Sequence, residues 1–114
     1  MTDRIAWIDL ETTGLDERTC SVLEVGVIVT DWALDVVAER SWLVAHDGPV
    51  SAFIAQMHGP EGSGLLDLCA TAAPAGAVDV FALRFLAEHA GRFPILGGRN
   101  AHFDRRFLRS RLPW

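Results

Sequence analysis

A chain of 114 residues has room for one hydrophobic core, and excludes both a second domain and a large catalytic barrel. Half of the residues are hydrophobic and 22% are charged, which excludes a disordered composition, and no apolar run approaches the ~20 residues of a membrane span. The net charge of −5 suggests a poor nucleic-acid binder, but its distribution is uneven: residues 1–98 carry 5 Arg against 14 Asp plus Glu, while residues 99–114 carry 5 Arg against Asp104 alone. No basic, then apolar, then small-residue leader pattern opens the chain, so a cytoplasmic location is expected.

In chain order, Arg4 to Glu11 opens as a short apolar run and reads as a strand, with Gly14 punctuating a turn after it. Val22 to Thr30 is rich in valine and isoleucine and reads as a second strand. A short polar-flanked connection, Asp31 to Asp35, leads to a third strand over Val36 to Ala45. Such short connections favour an antiparallel meander. Val50 to Met57 follows Pro49 and is read as a short helix, and Gly59 to Gly64 as a loop. One more helical piece fits Leu65 to Leu68, whereas Ala70 to Ala77 looks loose around Pro74 and Gly76.

Val78, Phe81, Ala82, Phe85, Leu86 and Ala90 recur at helical spacing and predict one apolar face, with Gly91 as the stop. Pro94 to Gly98 reads as a short buried strand. Phe103, Phe107, Leu108 and Leu112 mark a last helical face closed by Pro113. A strand–helix–strand crossover after a meander gives an α/β fold, a mixed sheet with helices on it. Cys20 and Cys69 have no CxxC partner or paired histidine and are read as free thiols.

Asp9 and Glu11 are the first residues that a purely structural reading explains badly. Two positions apart on a strand, they point to one face while Leu10 points to the other. Adjacent carboxylates in a partly buried place repel unless a cation relieves them. A hard divalent ion such as Mg²⁺ or Mn²⁺ prefers such oxygen ligands. The alternative is that both emerge into solvent at the strand end. Asp104, at the start of the last predicted helix, is a third carboxylate that reads equally as an N-terminal helix charge. The arginines of that helix read either as a solvated face or as a phosphate-tracking surface.

Asp9-Leu10-Glu11-Thr12-Thr13-Gly14-Leu15 resembles the first motif of the DEDD, or DnaQ-like, 3′→5′ exonucleases. Asn100-Ala101-His102-Phe103-Asp104-Arg105-Arg106-Phe107-Leu108 resembles the second. Within the family the likeness leans toward oligoribonuclease, through Gly62-Ser63-Gly64-Leu65 and the segment Asp104 to Leu108. Met57-His58-Gly59 instead is similar to the His-Gly segment of polymerase proofreading members. The resemblance covers essentially residues 1–114 as a single exonuclease-like domain.

The resemblance implies a ribonuclease H-like fold with a mixed sheet in the order 3-2-1-4. It implies hydrolysis of short single-stranded RNA or DNA from 3′ ends with two divalent metal ions, Mg²⁺ or Mn²⁺. Asp9, Glu11 and Asp104 would be the catalytic metal ligands. Thr12, Thr13, Gly14, Leu15, His58, Asn100 and Arg105 would meet the substrate, with Leu15 against a base. The family pattern also has a third motif, a final helix with a general-base His or Tyr and a fourth carboxylate. This chain has no tyrosine, and His46, His58, His89 and His102 all precede that region. The expectation is therefore a domain truncated before its C-terminal helix. Its exposed sheet face predicts self-association or a covering partner chain. A noncatalytic nucleic-acid-binding or interaction module with an incomplete site is the competing expectation.

Overall fold

The computed structural model describes residues 4–16, 18–91 and 95–98. Four strands, β1 (Ile5–Thr12), β2 (Val22–Thr30), β3 (Val36–Leu43) and β4 (Ile95–Gly97), form one sheet in the order β3-β2-β1-β4. β1 pairs antiparallel with β2, and β2 with β3, while β4 lies parallel to β1. Three helices connect β3 to β4: α1 (Ala52–His58), α2 (Leu65–Cys69) and α3 (Ala75–His89). This is the mixed sheet expected of a meander followed by a crossover.

Strand alternation divides β1 into two faces. Ala6, Ile8 and Leu10 are buried with Val25, Val27 and Val29 of β2 against Val78, Ala82 and Leu86 of α3. A second cluster packs Leu23 of β2 against Leu65 and Cys69 of α2. Trp7, on the other face of β1, donates from Nε1 to Thr30 Oγ1 at 2.9 Å. Its ring lies over Gly97, where a Cβ would come 2.7 Å from the indole. Only glycine lets β4 approach β1 this closely.

Several boundaries differ from the sequence expectation. β3 ends at Leu43 instead of Ala45, because Val44 turns to an isolated bridge with Ala73. α1 starts at Ala52 once Ser51 caps it, its hydroxyl accepting from Ile54 N at 3.2 Å. α3 starts at Ala75, so residues 75–77 are helical and not loose. Pro74 sits at its N-cap, with φ −64° and ψ 154°. Its ring fixes φ, and the helix needs no N–H from it there.

Phe81 belongs to the expected apolar face yet is 44% exposed. The buried stripe is Val78, Ala82 and Leu86, spaced by four, and Phe81 sits on its flank. Phe85, on the same flank, is held edge-on by Trp42 at 5.4 Å. Gly91 ends the helix as expected, with φ +84°. Ile95 of the expected buried strand is 51% exposed, since β4 is the sheet edge among the described residues. The last predicted helix lies outside the described residues.

Leu23 is fully buried between the sheet and α2. Leu23→Ala is expected to destabilise the chain by about 2–5 kcal/mol. Urea unfolding monitored by circular dichroism measures it, and a loss below about 1 kcal/mol would contradict this packing.

Candidate functional site

The site starts from the β1–β2 register. Asp9 stands opposite Gly26, and Glu11 opposite Glu24. Both carboxylates of β1 lie on the face turned away from α3, as Leu10 between them is buried beneath. Gly26 puts no side chain beside Asp9, and the sheet there floors an open cleft of about 570 Å³. Trp7, Asp9, Ile28, Glu39 and Ser41 also line it.

Glu11 is half-buried at the end of the strand. Burial pushes its carboxyl above the ordinary value, His58 opposes this, and Asp9 and Glu24 push the same way. Three carboxylates thus crowd one strand end. Glu24 was not legible as a site neighbour, because only the pairing of β2 with β1 places it opposite Glu11. A repelling oxygen set of this kind, Asp9 exposed and Glu11 and Glu24 half-buried, suits a hard divalent cation and not a soft one. Among the described residues, no three His, Cys, Asp or Glu side chains close on one point.

After Glu11 the pairing register shifts by a bulge, and β1 leaves the sheet. Thr13 fastens the turn twice: its N–H donates to Ser21 O at 2.8 Å, and its Oγ1 accepts from Ser21 N at 2.9 Å. Thr12 Oγ1 donates to Gly14 O at 2.6 Å. A Cβ on Gly14 would come 2.5 Å from Cys20 Sγ, so a larger residue would push the Cys20 side chain aside. Asp16 closes it by accepting from Arg18 N at 3.0 Å, and that bond holds its carboxyl below the ordinary value. This frame leaves Leu15, four residues after Glu11, 81% exposed. A leucine in that position is available to an apolar or flat ligand.

His58, the last residue of α1, comes to the same place. Its Nε2 lies 3.4 Å from Glu11 Oε2, and its Nδ1 2.9 Å from Ser63 Oγ. In the sequence Ser63 stands out only as part of Gly62-Ser63-Gly64-Leu65. Its partner is visible only once the loop after α1 folds back. The structure therefore brings together Asp9, Glu11, Thr12, Thr13, Gly14, Leu15 and His58. Asn100, Asp104 and Arg105 lie outside the described residues.

Cys69 and His89 serve packing. Cys20 and Cys69 are both free. Cys69 donates its thiol to Leu23 O at 3.3 Å, and burial pushes its pKa up, which leaves it an inert core group. His89 stacks on Phe85 at 4.6 Å, in keeping with a packing role.

The sheet order and the crossover helices give a ribonuclease H-like α/β fold, with a carboxylate pair at the end of β1. Product-bound exonuclease I superposes with a TM-score of 0.72 at 18% identity over 96% of this chain and 25% of that one. Exonuclease I of E. coli in complex with a dT13 oligonucleotide matches with a TM-score of 0.72 at 17% identity, over 95% of this chain and 23% of that one. At such identity the likeness is one of fold.

The sequence relatives are more specific. The oligoribonuclease of Bordetella pertussis is 39% identical over 121 residues, covering 97% of this chain and 64% of that protein. The oligoribonucleases of Nitrosomonas europaea and Corynebacterium diphtheriae are 35% and 33% identical, each over 97% of this chain, and over 64% and 56% of their own lengths. The chain is thus related to oligoribonucleases among the DEDD exonucleases, and spans a little over half to almost two-thirds of their length. No family model matches it.

The raised pKa of Glu11 has a definite pH consequence for the metal-free protein. The folded state holds the proton more tightly than the unfolded one, so stability falls as pH rises from the ordinary carboxylate value through the raised one. Glu11→Gln removes this loss. The melting temperature of the variant relative to the parent is expected to be higher at pH 7 than at pH 4 in the presence of a chelator. A difference that is constant or larger at pH 4 would contradict the crowding.

Proposed function

We propose that this chain carries the catalytic core of a metal-dependent 3′→5′ exonuclease that hydrolyses short single-stranded RNA or DNA. The observation that supports it most is the pair Asp9 and Glu11, sharing the open sheet face beside the exposed Leu15, in a chain similar over 97% of its length to oligoribonucleases.

Asp9, Glu11 and Asp104 would hold two divalent ions, Mg²⁺ or Mn²⁺, through carboxylate oxygens. Bound there, such ions supply Lewis acidity to a phosphodiester. The chain's own residues do the rest. Leu15 offers its side chain to the face of the terminal base. The turn fastened by Thr12, Thr13 and Gly14 holds Leu15 at a set distance from the carboxylates. Asn100 and Arg105 are placed in the second motif, where an amide and a guanidinium suit sugar and phosphate oxygens. Hydrolysis then adds water across the last P–O bond: hydroxide to phosphorus and a proton to the leaving 3′ oxygen.

The test uses RNA and DNA oligonucleotides labelled at the 5′ end, incubated with the full chain and Mn²⁺. A ladder shortening from the 3′ end is expected, abolished by Asp9→Ala and by chelation. Leu15→Ala is expected to raise KM more than it lowers kcat, since it removes contact area and no charge. Binding of the oligonucleotides without metal-dependent shortening, at high protein concentration, would replace this proposal with a noncatalytic binding module.

A further inference from the structure

His58 is a buried imidazole, 6% exposed, at the C-terminal end of a helix of seven residues. A buried ring needs partners for both nitrogens. Nδ1 meets Ser63 Oγ at 2.9 Å, and Nε2 faces Glu11 Oε2 at 3.4 Å.

The direction of these contacts follows from Glu11. An ionised carboxylate only accepts, so the proton of a neutral imidazole belongs on Nε2, 3.4 Å from Glu11 Oε2. Nδ1 then accepts from the hydroxyl of Ser63, whose Oγ also accepts from Leu65 N at 3.3 Å.

The loop that delivers Ser63 is built without slack. Ser63 N donates to Met57 O at 2.9 Å, and both Gly62 N and Gly64 N donate to Gly59 O at 3.0 Å. A Cβ on Gly62 would come 2.2 Å from Met57 O, and one on Gly59 equally close to Ala55 O. Gly64 takes φ +73°, a conformation that favours glycine. Three glycines thus let the chain fold tightly back onto the end of α1 and set one hydroxyl against one ring nitrogen.

We propose that Ser63 and His58 are positioning residues for Glu11. Ser63 fixes the tautomer and orientation of the imidazole, and the imidazole holds Oε2 of Glu11, leaving Oε1 free of this contact. His58 therefore acts through Glu11 and not directly on the nucleic acid. This rests on the reading of Glu11 as a metal ligand. An outer partner that orients a ligand typically carries a 10–100-fold effect on metal affinity.

The experiment is calorimetric titration of Mn²⁺ into the full chain and its variants, with ¹⁵N-detected NMR of the imidazole in the metal-free protein. In the parent, the neutral ring is expected to carry its proton on Nε2, and Ser63→Ala is expected to mix the two tautomers. His58→Ala is expected to weaken Mn²⁺ binding by about 10–100-fold. Ser63→Ala is expected to weaken it less, and His58→Gln, which keeps an N–H donor, to restore part of the loss. In a Glu11→Gln background, His58→Ala is expected to cost nothing further.

Mn²⁺ affinity within twofold of the parent in both His58→Ala and Ser63→Ala, with a raised KM for oligonucleotide, would overturn the proposal and make His58 a substrate contact. An Nδ1–H tautomer in the parent would also overturn it. If His58→Ala does not fold, Ser63→Ala and the tautomer decide. Failure of the metal-ligand reading is seen separately, as unchanged Mn²⁺ binding in Glu11→Gln itself.

Discussion

The pairing of β1 with β2 is the constraint on which the site depends. It sets Glu11 against Glu24 and Asp9 against a glycine, on the one face of β1 that α3 does not cover. Like charges opposed across strands are unfavourable, and partial burial makes the arrangement worse. A one-residue slip would turn Ala6, Ile8 and Leu10 out of the core and the carboxylates into it, at a far greater cost. Burial of those side chains therefore holds the carboxylates together. The apolar half of the strand does the folding, and its polar half is left with a charge arrangement that a cation would relieve.

The surroundings of the pair are consistent with that logic. The bulge after Glu11 takes β1 out of the sheet, and the Thr13–Ser21 bonds hold the following turn, in which Leu15 stands in solvent. From the other side, α1 and its glycine-rich loop bring His58 against Glu11. Each element near the strand end is held by its own hydrogen bonds, so the site rests on a rigid frame and not on mobile side chains alone. Oligoribonuclease relatives at 33–39% identity show that sequences of this kind occur in nucleases.

Much of the fold is legible in the sequence, because periodicity reports directly on which face of an element is buried. β2 is readable from its run of Val and Ile, and the shared face of Asp9 and Glu11 from the alternation around Leu10. What escapes is set by tertiary contacts. The start of α3 is obscured by Pro74 and Gly76, which signal a loop by propensity although Pro74 serves as a cap. Phe81 fits the helical period, yet the helix rests on its small residues and leaves that ring on the flank. Ile95 belongs to a run with the composition of a core strand, but β4 is the sheet edge among the described residues. Glu24 and the Ser63–His58 contact depend on strand register and on a loop folding back, and neither leaves a periodic trace. The second motif, with Asn100, Asp104 and Arg105, is legible only as a resemblance.

The most direct measurement is anomalous diffraction from crystals of the full chain grown or soaked with Mn²⁺. Strong anomalous density within coordination distance of both the Asp9 and Glu11 carboxylates is expected, and its loss in the Asp9→Ala protein. Mn²⁺ bound elsewhere, with Asp9 and Glu11 reaching only solvent or protein partners at saturating metal, would contradict the claim that this strand end is a metal site.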